Sequence, residues 1–247
     1  MESNYLFGPF LRKSKKNNIS ITNNIYSDSH FVEFYNASVQ YNGLNDIDIL
    51  KEVLSKDDVI LEIGSGNGRV YNVLASEGYN IYGLEPELEM IKYIDNDFKD
   101  KIFNIGVEEI TSIENLKFSK VIIPATTISL FPQEQLVKFF SKFKEVLHKD
   151  GSIIFDFLNP NYIKRNIEKI TSYKTSNSTF FLGNTIIDSQ YILNIYMKNK
   201  GIEKIGYSIK NIHEDSFFEN ISQKLNYKVK VVYKNDAFSF LEMKNHG

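Results

Sequence analysis

Glu62, Gly64, Gly66, Gly68 and Glu85 are the residues whose types and spacing suggest chemistry. Residues 59–69 read VILEIGSGNGR: an apolar run of strand length, an acid, then a glycine at every second position. Glycines there let the chain turn tightly and let a ligand come up against the main chain. Residues 80–84 read as a second strand, and that strand ends on Glu85. A carboxylate at that point can accept hydrogen bonds from both hydroxyls of a ribose. The expectation is a nucleoside held at the carboxyl end of a parallel sheet.

The glycine spacing separates two ligand classes. A dinucleotide site wants Gly-x-Gly-x-x-Gly, with the pyrophosphate on a helix N-terminus. Here the pattern is Gly-x-Gly-x-Gly followed by Arg69, and Glu62 stands just ahead of it. An acid there repels a pyrophosphate and suits an ammonium group. Taken together, Glu62, the glycines and Glu85 resemble the first motifs of class I S-adenosylmethionine-dependent methyltransferases. A nicotinamide-dependent oxidoreductase, the competing reading, needs its third glycine one residue later and no acid at Glu62.

The resemblance implies S-adenosyl-L-methionine as cofactor and S-adenosyl-L-homocysteine as product. The cofactor set it implies is Glu62, Gly64, Ser65, Gly66, Gly68, Arg69, Glu85, Pro86, Met90, Val107, Glu108 and Pro124. Glu62 would face the methionine amino end, and Pro86 and Met90 would sandwich the adenine. Relatives usually place an Asp against the adenine amine where this chain has Gly106, which leaves that contact to backbone amides and Glu108. Thr126 and Thr127, after the fourth strand of the core, are candidate acceptor contacts. So are Tyr26, Tyr35 and Tyr41 in an aromatic N-terminal segment, where Phe34-Tyr35-Asn36 looks like the family's aromatic–Tyr–Asp lid element with Asn in place of the acid. Asp156, an acid inside an apolar strand, and His213 are the candidate proton acceptors, although each also reads as a structural residue.

The elements that must position these residues follow from periodicity. Phe31, Phe34, Tyr35 and Val39 fall near helical spacing, and residues 46–54 form a helix with Asp46 as its N-cap. Helices over 70–77, from 86 onward, over 136–147 and over 214–225 alternate with strands at 59–63, 80–84, 101–105, 120–123 and 152–157. Residues 229–233 and 238–243 close the chain as a hairpin. The fold expected is α/β: a doubly wound, mostly parallel seven-stranded sheet with a reversed C-terminal strand, plus an inserted small antiparallel sheet. The insertion is read as three strands within 173–212, turning at Gly183-Asn184 and Lys200-Gly201. The organisation predicted is a tail and lid helix over 1–45, a cofactor-binding core over 46–172, an inserted cap over 173–212, and a return to the core over 213–247. Residues 1–25 read as irregular.

Composition narrows the rest. The chain has 247 residues and no cysteine, so disulfides and thiolate metal sites are excluded, and its four histidines are scattered with no pair at ligand spacing. No metal is expected. A formal net charge of -2 argues against a nucleic-acid partner, and no apolar run is long enough to cross a bilayer. With no secretory signal the sequence reads as cytoplasmic. Apolar inserted strands leave room for a homodimer. An aromatic lid with an inserted sheet looks most like small-molecule N-methyltransferases, which implies transfer to an amine of a small molecule or small peptide. O-methylation is the first alternative, and a non-catalytic nucleoside-binding module the second.

Overall fold

The computed structural model describes residues 2–16, 18–39, 45–167 and 169–246. In chain order its regular elements are α1 (Gly8–Ser14), β1 (Ile19–Thr22), α2 (Ser29–Val39), α3 (Asp46–Val53), β2 (Val59–Ile63), α4 (Tyr71–Ser76), β3 (Asn80–Leu84), α5 (Leu88–Ile91), β4 (Ile102–Phe103), β5 (Phe118–Ile123), α6 (Gln133–Val146), β6 (Leu147–Leu158), α7 (Pro160–Arg165), β7 (Thr171–Lys174), β8 (Thr179–Ile187), β9 (Gln190–Asn199), β10 (Ile202–Asn211), α8 (Asp215–Lys224), β11 (Tyr227–Lys234) and β12 (Phe238–Asn245). Short 3-10 turns join several of these. The chain divides into two units, Met1–Gly43 with Asn161–Ile212, and Leu44–Pro160 with His213–Gly247.

The second unit is built on a seven-stranded sheet in the order β11-β12-β6-β5-β2-β3-β4. β2, β3, β4, β5 and β6 run parallel, and β12 enters antiparallel beside β6. This is the doubly wound sheet with a reversed last strand that the sequence predicts. β2 lies inside the sheet between β5 and β3, and its last four residues are buried, as a parallel strand covered on both faces requires. One face carries the aromatic core of Phe139, Phe140 and Phe143 from α6 against Phe155, Phe157 and Phe218; the other packs Leu50, Tyr71 and Leu74 on Ile60 and Ile122. The third strand is shorter than the 101–105 expected. Only Ile102 and Phe103 pair, because Asn104 turns its side-chain amide onto the carbonyls of Glu85 and Pro86.

The first unit is a five-stranded sheet, β1-β10-β9-β8-β7, so the insertion has four antiparallel strands rather than three, and β1 adds in parallel at its edge. β7 pairs with β8, which groups residues from 161 onward with this unit. The turn between β8 and β9 is Asp188-Ser189, both with positive φ, and not Gly183-Asn184. Gly183 lies mid-strand, where a Cβ would sit 2.6 Å from Phe10 Cε2, so its bareness admits the α1 aromatic. Residues 1–25 are therefore not irregular throughout. Buried Leu6 and Phe10 pack with Tyr196, Ile205 and Tyr207, and Asn194 on β9 accepts the Phe7 N–H and donates to the Tyr5 carbonyl. Tail residues with that much apolar surface gain more from covering a sheet than from solvent.

Candidate active site

The glycine loop begins where β2 ends. Gly64, Gly66 and Gly68 have φ of +72°, +55° and +82°, a region that L side chains adopt at a cost, so all three glycines are required by the turn. The Leu84 carbonyl at the end of β3 accepts the N–H groups of both Gly64 and Ser65, which ties the loop to the strand that delivers Glu85. Glu85 closes the arrangement. One carboxylate oxygen accepts the Gly66 N–H at 2.8 Å and the other the Glu87 N–H at 2.9 Å. Each oxygen keeps a lone pair for a further donor. Burial raises the Glu85 pKa, against the lowering influence of those two N–H groups.

Glu62 is 2 % exposed, and its Oε2 has no hydrogen-bond partner. Burial pushes its pKa up to about 8; Arg69 nearby opposes the shift, and Asp46 and Glu85 add to it. A carboxyl oxygen buried without a partner is costly unless a ligand supplies the donor. That orphan, together with the bare backbone of the loop, fits the ammonium end of S-adenosylmethionine.

Arg69 makes an ion pair that the sequence did not suggest. It is among the residues that the resemblance assigns to the cofactor, yet its guanidinium forms a two-pronged pair with Asp46, through Nη1 at 2.7 Å to Oδ1 and through Nη2 to Oδ2. Asp46 is fully buried and is the first helical residue of α3, and Asn45 holds the N-cap position, so the capping role expected of Asp46 is replaced by this ion pair. The Arg69 charge also lies near enough to Glu62 to oppose the rise of its pKa. Asp46 was not legible as a site residue, because nothing in sequence links a helix-start acid to a loop residue two elements away.

Among the remaining predicted cofactor residues, Met90 reaches the loop. Met90 is buried, with its methyl 3.1 Å from where a Gly66 Cβ would stand; Pro86 follows Glu85 directly, and Val107 is buried at the start of a 3-10 turn. The Glu108 carboxylate folds back over Gly106, within 2.6 Å of a Cβ built there, and so fills the space a side chain at 106 would take. Asn104, which sequence reasoning passed over, fixes the Glu85-Pro86 turn through the two carbonyl contacts above.

At the carboxyl end of β5, Pro124 leads into Ala125 and Thr126, both with left-handed backbone at φ +59° and +58°. The Thr126 N–H donates to Asp156 Oδ2 at 3.0 Å. Thr127 opens a 3-10 turn, Thr127–Leu130, and its methyl lies 2.8 Å from a Cβ built on Gly64. Asp156, on β6, is fully buried. His213 is 1 % exposed and stacks on Phe217, with its ring edge toward Phe218. The carbonyls of Phe131 and Ile128 favour its charged form, but burial dominates and lowers its pKa to about 4. Neither ring nitrogen makes a contact of hydrogen-bond geometry. The structure therefore brings the loop, Glu62, Glu85, Thr126, Thr127 and Asp156 together in one unit. Tyr26 and Tyr35 belong to the other unit, where their rings meet edge to face at 5.8 Å. Tyr41 lies outside the described residues.

Comparison with known proteins agrees with this geometry. Residues 60–151 match the family model described as a methyltransferase domain. An uncharacterized methyltransferase of Bacillus thuringiensis is 29% identical over 109 residues, which cover 44% of this chain and 51% of the relative. The chain thus spans about half the length of the curated relatives it matches. A solved S-adenosylmethionine-dependent methyltransferase of Clostridium acetobutylicum superposes with a TM-score of 0.69 at 14% identity, covering 88% of this chain and 98% of that one. The sugar N-methyltransferase KedS8 of a Streptoalloteichus species gives 0.68 at 10% identity, over 87% and 92%. Residues 60–151 are thus similar to a methyltransferase domain, and the chain shares the Rossmann-like fold of solved S-adenosylmethionine-dependent methyltransferases. Among the described residues no helix is long and apolar enough to cross a membrane.

Proposed function

We propose that this protein transfers the methyl group of S-adenosylmethionine to an amine nitrogen of a small molecule or small peptide. The observation that carries the reading is the buried, partnerless Glu62 oxygen at the mouth of a glycine loop that Glu85 closes. Bound S-adenosylmethionine supplies an already activated methyl on a sulfonium, so the chain has to hold, align and exclude water rather than activate the donor. Glu62 takes the amino end, the Glu85 carboxylate takes the ribose hydroxyls, the backbone of Gly64–Gly68 lines the cofactor, and Pro86 and Met90 flank the adenine. Thr126 and Thr127 present hydroxyls at the carboxyl end of β5, where an acceptor would approach.

The choice of nitrogen over hydroxyl oxygen rests on the weakness of the bases at that end. A hydroxyl must lose its proton to become a good nucleophile, whereas an amine attacks as soon as it is neutral and sheds its proton afterwards. His213, with a pKa of about 4, is a weak base, and Asp156 already accepts the Thr126 N–H. That the sugar N-methyltransferase KedS8 shares this fold supports the reading by analogy. The test is methyl transfer from labelled S-adenosylmethionine to a panel of amino sugars, glycine-type amines and peptide N-termini, run beside matched hydroxyl compounds. Methylation of an amine in that panel supports the proposal. Methylation of hydroxyls alone would replace it with O-transfer, and cofactor binding without any transfer would favour a non-catalytic module.

A further inference from the structure

Two successive residues without glycine, Ala125 and Thr126, both sit in the left-handed region at the end of β5. For a β-branched residue such as Thr126 this backbone is a genuine outlier, and it persists only where the surroundings over-determine it. The over-determining contact is on the next strand. Asp156 is fully buried in β6, and its Oδ2 accepts the Thr126 N–H at 3.0 Å. An N–H that donates to a buried carboxylate makes one of the stronger hydrogen bonds available to a backbone. The turn then closes on itself: the Thr127 N–H donates to the Pro124 carbonyl, and the Ser129 N–H to that of Thr126. In that conformation the Thr127 side chain abuts Gly64, the first glycine of the cofactor loop, with Cγ2 2.8 Å and Oγ1 3.5 Å from a Cβ built there.

We propose that Asp156 is a positioning residue: by holding the strained Ala125-Thr126 turn it seats Thr127 against Gly64 and so couples the acceptor end of the site to the cofactor loop. The proposal rests on the methyltransferase reading of that loop. It assigns Asp156 no proton transfer. Its carboxylate is used as a hydrogen-bond acceptor, a role that a carboxamide oxygen can also fill. Thr127, in turn, limits which residues position 64 tolerates.

The test is S-adenosylhomocysteine affinity, measured by calorimetry, in variants whose cooperative thermal unfolding has been verified. Asp156→Leu removes the acceptor and is expected to weaken binding roughly tenfold or more. Asp156→Asn keeps an acceptor oxygen and is expected to stay within about threefold of wild type. Adding Ala125→Gly to Asp156→Leu lowers the cost of the left-handed turn and is expected to recover part of the loss. If Asp156→Leu does not fold, Asp156→Ser, which shortens the acceptor without adding apolar bulk, is read in the same way. Wild-type affinity in Asp156→Leu or Asp156→Ser would overturn the proposal. So would an Asp156→Asn variant that binds normally but loses turnover together with a limb of its pH profile, since that is the signature of a base. Absence of binding in the wild type would instead refute the cofactor reading beneath it.

Discussion

Replacing Glu62 by Gln should stabilise the unliganded protein at alkaline pH while damaging cofactor binding. The Glu62 carboxyl has a pKa near 8 in the folded chain against an ordinary 4.5, with burial as the main cause. Between those values the folded state keeps a proton that the unfolded state has released, so this group makes stability fall as pH rises from about 4.5 to about 8 and stay flat above. At roughly 1.4 kcal/mol per unit, the ionisation penalty reaches about 3–5 kcal/mol above pH 8. Gln stands in for the protonated form. The variant should therefore match wild type within about 1 kcal/mol at pH 5 and exceed it by about 3–5 kcal/mol at pH 8.5, a rise of about 10 °C in melting temperature for a chain of this size. Urea unfolding of both proteins at the two pH values is the assay, and the other shifted groups, among them Glu85 and Glu242, largely cancel in the difference. A wild-type–variant difference that is the same at pH 5 and pH 8.5 would refute the reasoning. The same shift requires that a ligand ammonium draw Glu62 back to its carboxylate. Binding at pH 6.5 should therefore release about one proton from the protein, visible as a dependence of the calorimetric heat on buffer ionisation enthalpy.

Three further outcomes follow from the geometry. Arg69→Met leaves the buried Asp46 carboxylate without its partner and should cost about 3–5 kcal/mol in denaturant unfolding, whereas Asp46→Leu combined with Arg69→Met should recover most of it; a silent single variant would show that the pair is not holding α3 to the loop. His213 is neutral in the folded chain down to about pH 4, while the unfolded residue charges near 6.5, so stability is lost as pH falls through that window. His213→Phe should remove roughly 3 kcal/mol of acid sensitivity in unfolding curves compared at pH 7 and pH 4, and identical pH slopes in the two proteins would contradict the burial argument. Gly64→Ala forces a Cβ into a left-handed residue and against the Thr127 methyl, and should weaken S-adenosylhomocysteine binding at least tenfold; an affinity equal to wild type would show that the loop tolerates the side chain.

The parts of this molecule that could be read from sequence are those governed by local rules. A buried parallel strand announces itself by an unbroken apolar run, and positive-φ turns by their glycines, so β2, the loop and the strand ending in Glu85 are all legible in the sequence. So was the reversed last strand of the main sheet. What escaped depends on partners distant in the chain. Gly183 looks like a turn residue, but it is the position where a strand makes room for Phe10, and the turn falls on Asp188-Ser189, which carry no glycine. Asp46 looks like a helix cap until Arg69 reaches it. The N-terminal residues lack a strong periodicity of their own and acquire structure from the sheet they cover. Likewise, Asp156 in an apolar strand is visible as an anomaly, but its reason, the left-handed Thr126 opposite, is written in backbone angles that sequence does not display.

In the reading proposed above, the Glu62–glycine loop–Glu85 arrangement binds S-adenosylmethionine. Its most direct test is a calorimetric titration of wild type and Glu85→Ala with S-adenosylhomocysteine at pH 8, with NADH as the control ligand. Micromolar binding to wild type, no binding of NADH, and a loss of roughly a hundredfold or more in Glu85→Ala are expected, since that variant lacks the carboxylate that would accept the two ribose hydroxyls. Binding of NADH, or unchanged S-adenosylhomocysteine affinity without the Glu85 carboxylate, would contradict it.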